Sequence, residues 1–210
     1  MTSDDASAPA PTAAAATTAA ATAPAVTAVA LCGGAGRRFG SDKTRALVEG
    51  RPLLDHVLDA LPATWPVRCV GDRRPTERDV AWDREDPPGG GPAAGIAAAL
   101  PHVSTPLVVV VGGDMPFAGS VVQQLVSRLT DDSPEVDAVV ARDGDGRLQP
   151  LLAAYRRDAL ATALGGDVRG MPLMRVLDRL RLDVVPVAAP ATVDVDTPGD
   201  LDRVRHRLEP

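Results

Sequence analysis

The sequence has few cysteines, no long apolar segment and no excess of positive charge, and each absence excludes a class of protein. Two cysteines, Cys32 and Cys69, are too few for a disulfide framework or a zinc site, so both are expected to be small buried hydrophobic residues. No run of about 18 apolar residues occurs, which argues against a membrane-spanning helix. Lys and Arg number 22 against 28 Asp and Glu, and the net charge of −6 argues against general nucleic-acid binding.

Residues 1–25 lack leucine, isoleucine, phenylalanine and tyrosine and consist almost entirely of Ala, Thr, Pro, Ser and Asp. Such a segment cannot bury enough apolar surface to offset the entropy of ordering, so we expect a disordered Ala/Thr/Pro-rich tail. Its first charged residues are acidic and it has no Leu-rich stretch, unlike a secretory signal. We therefore predict one domain over residues 26–210 and a cytoplasmic location.

Strand and helix patterns alternate along residues 26–210. Short apolar runs predict buried strands at 26–32, 67–70, 107–111, 137–141 and 184–187. Apolar residues on one helical face, with flanking breakers, predict helices at 53–61, 93–100, 121–129, 151–164 and 172–182, and a last one after Pro198. This alternation indicates an α/β fold, a three-layer sandwich with a mostly parallel, Rossmann-like sheet. Ligands of such sheets bind at the carboxyl ends of the strands.

The segment after the first strand, residues 31–43, reads LCGGAGRRFGSDK and is rich in glycine and cations. Glycine lets backbone amides approach an anion, and arginine forks and a lysine bind phosphate oxygens. The residues concerned are Gly33, Gly34, Gly36, Arg37, Arg38 and Lys43. A P-loop would need glycine where Asp42 stands, and a dinucleotide fingerprint would need glycine where Phe39 stands. The segment therefore predicts a phosphate site outside both templates, and a tight turn with solvated cations is the structural alternative.

The same segment resembles the signature of nucleoside-triphosphate transferases of the molybdenum cofactor guanylyltransferase (MobA) type. Further segments resemble that family in the same order. They are RPLLDHVLDAL at 51–61, GPAAGIAAAL at 91–100, GGDMPF at 112–117, QPLLAAY at 149–155 and VDVDTPGDL at 193–201. The resemblance implies an enzyme that transfers GMP from GTP to the terminal phosphate of molybdenum-bound molybdopterin, releases pyrophosphate and uses Mg²⁺.

The resemblance also implies roles for individual residues. Asp114 would bind Mg²⁺, with Asp196 as a second candidate, and Lys43 would neutralise charge near the α-phosphate. The catalytic residues would be Arg37, Lys43 and Asp114. The nucleotide-binding residues would be Leu31, Cys32, Gly33, Gly34, Gly36, Arg37, Lys43, Gly71, Asp86, Gly91 and Asp114. The acceptor-binding residues would be Gln149, Arg169 and Asp194.

Some of these assignments have structural alternatives. Asp114 would also serve as a turn cap, and Thr197 to Asp200 predict the N-terminal cap of the last helix. The family usually has asparagine where this chain has Asp194 and Asp196, and often has it where this chain has Gly71. Loops or helix ends that carry solvated side chains would equally explain the acceptor-side residues.

Other functions stay open from the sequence. A nucleotidyltransferase of the same fold would use another pair of substrates: CTP with molybdopterin, or a nucleotide with a sugar or lactate phosphate. A noncatalytic nucleotide-binding module is the alternative from another class. For the guanylyltransferase we expect GTP and molybdopterin as partners, with handover of the product to a molybdoenzyme or chaperone, and neither nucleic acid nor membrane.

Overall fold

The computed structural model describes residues 25–33, 42–131 and 135–208. Within these ranges the strands are β1 (Val26–Leu31), β2 (Leu47–Val48), β3 (Arg51–Pro52), β4 (Val67–Val70), β5 (Ala81–Asp83), β6 (Leu107–Gly112), β7 (Ala138–Arg142), β8 (Leu148–Arg156) and β9 (Leu182–Pro186). The α-helices there are α1 (Leu53–Ala60), α2 (Pro92–Ala99), α3 (Gly119–Asp131), α4 (Arg157–Ala163), α5 (Leu173–Leu177) and α6 (Pro198–Leu208). Short 3-10 helices cover Lys43–Arg45 and Leu100–His102.

Seven strands of the described chain form one sheet in the order β5-β4-β1-β6-β8-β7-β9. β1 runs parallel to β4 and β6, β4 to β5, and β7 to β9, whereas β8 is antiparallel to both of its neighbours. β2 and β3 form a separate antiparallel hairpin. The predicted α/β fold with a mostly parallel sheet is therefore confirmed.

Helices cover both faces of the sheet. The apolar sides of α1 and α3 pack on one face, and α2, α4 and α5 pack on the other. Because both faces are buried, β6 is buried along its whole length and shows no polar alternation, as expected for a central strand of a covered sheet. The predicted three-layer arrangement is confirmed.

A third, smaller core joins the hairpin and α1 to the C-terminal part of the described chain. Val48 of the hairpin and Leu53 of α1 pack there against Val195 and against α6. This contact brings the segment before α6 next to the segment that follows β1. Residues far apart in the sequence thus meet at one side of the molecule.

The prediction of a helix over 151–164 is wrong for the first part of that range. Residues 148–156 form β8, and the helix that follows covers only Arg157–Ala163. The segment LQPLLAAYR is rich in leucine and alanine, which favour helices in isolation. Between β6 and β7, however, residues 152–155 are buried on both faces of the sheet, and tertiary packing overrides local propensity.

Two other differences concern short elements. The helix predicted over 172–182 ends at Leu177, and β9 already begins at Leu182. β5 and the hairpin were not predicted, because two or three residues are too few to show a period. The remaining predicted elements are confirmed within a few residues at their ends.

Residues 1–24, 34–41, 132–134 and 209–210 lie outside the described residues. The division into a tail over 1–25 and one domain over 26–210 therefore stays a prediction. In the described part of the chain, none of the helices has the length and apolar character needed to cross a bilayer.

Arg78 holds the end of α1 in place. Its guanidinium donates to the carbonyls of Leu58 (2.8 Å), Leu61 (3.1 Å), Pro62 (2.8 Å) and Trp65 (2.6 Å). These carbonyls lie at or beyond the end of the helix, where α-helices leave acceptors without a partner. One side chain thus bonds to four carbonyls along residues 58–65 and ties the end of α1 to the segment that follows it.

We expect R78K to lower the free energy of unfolding by about 1–3 kcal/mol, because a lysine cannot reach all four carbonyls. Urea unfolding followed by circular dichroism measures the change. The matched control is R147K, at an arginine whose side chain is 78% exposed, and it should change stability by less than about 0.5 kcal/mol. Equal midpoints for R78K and wild type would contradict the assigned role.

Candidate active site

Three neighbouring strands end close together at the carboxyl edge of the sheet. The N–H of Cys32, just beyond β1, donates to the carbonyl of Val70 at the end of β4 (2.8 Å). The N–H of Gly113, just beyond β6, donates to the carbonyl of Leu31 (2.9 Å). Backbone hydrogen bonds therefore draw together the edge at which such sheets bind ligands.

Glycine is required where these strand ends touch. Gly71 follows β4 with a φ of 141°, and a Cβ there would lie 3.1 Å from the carbonyl carbon of Cys32 and from the nitrogen of Gly33. A Cβ at Gly113 would lie 2.9 Å from the carbonyl oxygen of Leu31. A larger residue at either position would push the strand ends apart.

A cleft of about 380 Å³, here named the first cleft, opens at this edge between the strand ends and α2. Four residues predicted to bind the nucleotide line it, namely Leu31, Gly33, Gly71 and Gly91. Asp86, predicted to contact the base, is not among its lining residues, whereas the neighbouring Glu85 is. Asp72 and Arg84 also line the cleft and form an ion pair with each other.

Cys32, also predicted to bind the nucleotide, lies below the cleft. Its side chain is buried, and a hydrogen bond with Cys69 together with burial raises the pKa of its thiol. Both cysteines are free and buried, which confirms their predicted role as small hydrophobic residues. In the described structure Cys32 contributes backbone groups rather than a reactive thiol.

The segment between β5 and α2 forms another wall of the first cleft. Gly91 has a φ of 85° and is the N-cap residue of α2. The carbonyl of Gly90 accepts a hydrogen bond from the N–H of Gly170 (2.8 Å), and a Cβ at Gly90 would lie 3.4 Å from Cγ of Arg169. Arg169, predicted to bind the acceptor, therefore lies against this glycine segment.

Lys43 is the only lysine in the chain and lies among acidic side chains. It begins a 3-10 helix capped by Asp42, and its ammonium forms ion pairs with Asp114 and with Asp196, the latter at 2.6 Å. Burial by itself lowers the pKa of Lys43, but the charges and hydrogen bonds of the two carboxylates outweigh it and leave that pKa raised. The lysine therefore stays protonated at neutral pH.

Asp114, Asp194 and Asp196 form an acidic cluster in which one oxygen from each lies within 4.8 Å of the others. The buried Val195 holds the cluster together, because its N–H donates to the carbonyl of Asp114 (3.1 Å). The Asp194 side chain is exposed, yet nearby protein displaces water from its carboxylate, and Asp196 and Asp114 add negative charge. Both effects raise its pKa.

A second cleft of about 280 Å³ shares Pro92 with the first cleft. Gln149 and Asp194, both predicted to bind the acceptor, line it together with Asp114 and an apolar wall that includes Met174. The pairing of β7 and β8 changes register beside Gln149, and such a bulge redirects side chains at a sheet edge. Two of the three predicted acceptor residues thus meet the predicted metal-binding aspartate in one cleft, and Arg169 is not among its lining residues.

The segment that carries Asp194 and Asp196 also caps α6. The N–H of Asp200 donates to Oγ1 of Thr197 (3.2 Å), and the Asp200 carboxylate accepts from the N–H of Thr197 (2.7 Å). The predicted N-terminal cap is therefore confirmed. It uses Thr197 and Asp200 and leaves the carboxylates of Asp194 and Asp196 at the acidic cluster.

Part of the predicted phosphate-binding segment lies outside the described residues. Gly34, Gly36, Arg37 and Arg38 fall there, so their roles stay predictions. The described structure resumes at Asp42, directly before Lys43.

Comparison with known proteins gives the chain a family. A family model of the MobA-like NTP transferase domain matches residues 28–184. The chain belongs to the MobA-like NTP transferase family. A relative from Natronomonas pharaonis, named probable molybdenum cofactor guanylyltransferase, is 31% identical over 199 residues, which cover 86% of this chain and 96% of the relative. The resemblance noted in the sequence is therefore confirmed.

Solved structures of similar fold agree with this family. The molybdopterin-guanine dinucleotide biosynthesis protein A of Archaeoglobus fulgidus is 26% identical, with a TM-score of 0.67 over 86% of this chain and 97% of that one. The 2-C-methyl-D-erythritol 4-phosphate cytidylyltransferase of Thermus thermophilus is 19% identical, with a TM-score of 0.64 over 85% and 96%. The second likeness shows the fold alone. As a member of the MobA-like NTP transferase family, the chain is a nucleotidyltransferase.

Sequence reasoning missed several residues of this MobA-like site. Arg84 and Glu85 line the first cleft, and the buried Arg74 bonds to Cys32 and Thr44. Arginine and glutamate are common at protein surfaces, so the residue type alone does not indicate a binding site. The cluster of charges in residues 72–78 gave a weak signal, but only the fold shows which of them are buried.

We expect D194N to raise the melting temperature at neutral pH and low salt in EDTA, because it removes one charge from three neighbouring carboxylates. The gain should correspond to about 0.5 kcal/mol, the scale of partly solvated charge interactions, and should shrink as salt screens the repulsion. Differential scanning fluorimetry across a salt series measures it. D202N is the control, because Asp202 is exposed and outside the cluster. A lower melting temperature for D194N would show that the carboxylate stabilises the fold.

Proposed function

We propose that this protein transfers GMP from GTP to the terminal phosphate of molybdenum-bound molybdopterin and releases pyrophosphate. The observation that carries the proposal is the ion pair between Lys43 and Asp114, because Asp114 lines the second of two clefts that share Pro92. A nucleotidyl transfer needs one cleft for each substrate and charged groups at the bond that changes. Relatives named molybdenum cofactor guanylyltransferase support this choice of substrates.

In this proposal the first cleft holds GTP. The glycines at 33, 71 and 91 leave room for the nucleotide to approach the backbone. Guanine offers N–H donors at N1 and N2 and therefore needs acceptors. The carboxylates of Asp72 and Glu85 line the cleft, and Asp86 follows Glu85 directly. One of these carboxylates would accept a hydrogen bond from the base.

The second cleft would hold the acceptor. An oxygen of the pterin phosphate attacks the α-phosphorus of GTP, a new P–O–P link forms, and the bond to the β-phosphate breaks as pyrophosphate leaves. The attacking phosphate is already ionised, so no strong general base is required. Catalysis then depends on positioning and on stabilising negative charge, as in other phosphoryl-transfer sites.

Lys43 supplies one positive charge at this point, and the acidic cluster supplies three carboxylates. This excess of negative charge would repel two anionic substrates unless a further cation were bound. Carboxylate oxygens are the ligands that Mg²⁺ prefers, so the cluster fits the divalent metal that the family typically uses. Asp114 would hold Mg²⁺, with Asp196 as a further ligand. Held by these carboxylates, Mg²⁺ would supply positive charge against the negative charge of the triphosphate and of the leaving pyrophosphate.

Pyrophosphate release with Mg²⁺ tests the proposal, using GTP, CTP, ATP and UTP, each with and without molybdenum-loaded molybdopterin. We expect release only with GTP and the pterin together. Release with CTP would mean that the nucleotide is CTP, with the same mechanism. Tight GTP binding without release from any pair would support a noncatalytic module or another acceptor, such as a sugar or lactate phosphate.

We expect K43A to lower kcat by about 10²–10³-fold, because it removes a charge that acts on the transferred phosphate. The effect on folding should be much smaller, which circular dichroism and thermal unfolding check. The matched control is R45A, which removes another cation from the same 3-10 helix, with a side chain that is 60% exposed. If K43A and R45A turned over GTP equally fast, Lys43 would have no place in the mechanism.

A cytoplasmic location and handover of the product to a molybdoenzyme or chaperone stay predictions. So do the catalytic role of Arg37 and the acceptor-side role of Arg169.

A further inference from the structure

Arg74 is a buried arginine two residues beyond Asp72 of the first cleft, with a side chain that is 5% exposed. Its guanidinium donates to the carbonyl of Cys32 (3.2 Å), to the Asp42 carboxylate (2.5 Å) and to Oγ1 of Thr44. Nε also donates to the carbonyl of Asp72 (3.1 Å). A buried charge is costly unless it is paired, and here four partners satisfy it.

The partners of Arg74 lie at both ends of the predicted phosphate-binding segment, residues 31–43. Cys32 is the residue directly after β1, and Asp42 and Thr44 flank Lys43. Asp42 also caps the 3-10 helix that begins at Lys43, because its carboxylate accepts from the N–H of Thr44 (3.1 Å). One guanidinium therefore joins the end of β1 to the helix that carries the lysine.

Trp82 fixes Arg74 from the other side. The guanidinium carbon lies 5.5 Å from the centre of the indole ring, a distance typical of a cation–π contact. Trp82 belongs to β5 and packs against the core formed with α1 and α3. The sheet and its core thereby set the position of the guanidinium.

We propose that Arg74 is a positioning residue that sets where Lys43 stands relative to the end of β1. The inference rests on the proposed function, because it assigns Lys43 to the nucleotide phosphates. A planar fork can reach the Cys32 carbonyl and the Asp42–Thr44 pair together, whereas a lysine has a single compact charge. Without the guanidinium, Cys32 and the Asp42–Thr44 pair, at the two ends of the phosphate-binding segment, are no longer held at a fixed distance.

The test compares R74K with R78K. Both variants keep the positive charge and remove a guanidinium that bonds several groups, but the partners of Arg78 are carbonyls at the end of α1. Both should lose stability. We expect only R74K to raise the KM for GTP about tenfold and to lower kcat about 10- to 100-fold, the scale of a misplacement near 1 Å.

A second measurement needs no nucleotide. Lys43 is the only lysine of the wild type, so its acylation rate can be followed by peptide mass spectrometry, and the new amine of R74K lies in a different peptide. Ion pairs with Asp114 and Asp196 make Lys43 slow to react in the wild type. We expect acylation of Lys43 to be several-fold faster in R74K and unchanged in R78K.

Equal acylation rates and equal KM values in R74K and R78K would overturn the proposal and leave Arg74 a stabilising residue. If the wild type released no pyrophosphate with any nucleotide, the proposed function would fail, and the acylation rates would still decide the role of Arg74. If R74K did not fold, W82L would be tested in its place. This substitution removes the indole ring next to Arg74 and keeps the Arg74 guanidinium. Faster acylation of Lys43 in W82L would support the proposal, and an unchanged rate would overturn it.

Discussion

The carboxyl end of β1 is hydrogen-bonded to the carboxyl ends of β4 and β6, which lie on either side of it, and the site is built on that contact. Because the backbones touch, Gly71 and Gly113 have no room for a side chain. The first cleft opens beside this contact, and Asp114 follows directly after Gly113, so its position depends on the same hydrogen bonds. Lys43 pairs with Asp114 in turn. A change in backbone spacing would therefore move the cleft and the charges together.

The net charge at the carboxyl edge of the sheet depends on α6 and on the segment that precedes it. α6 packs against the hairpin and α1, and Val195 bonds to Asp114, which brings Asp194 and Asp196 to Lys43. Resemblance to the family leads one to expect asparagines at these two positions, so this chain carries two extra carboxylates beside its single lysine. In the proposed reaction both substrates are anions, and bound cations must then offset more negative charge than asparagines would impose.

Much of the fold was predictable from residues 26–208, because β1 is mostly and β6 continuously apolar and α1 and α3 show a helical period. The segment 151–164 was not, because β8 is buried on both faces and its leucines and alanines show no alternation. β5 was also missed, since its three residues contain no period. In both cases the conformation is decided by neighbouring strands, and a local pattern does not contain that information.

Lys43, Asp114, Asp194 and Asp196 were each singled out in the sequence, and the structure brings all four together. They were recognisable because each follows a strand or precedes a helix within a distinctive motif. Arg74 had no such motif. It acts on Lys43 through Asp42 and Thr44, and its importance depends on burial and on Trp82, which only the folded chain reveals. Groups that bind a substrate leave patterns in a sequence because their chemistry restricts residue type, whereas a residue that acts through geometry is recognised only by what it touches.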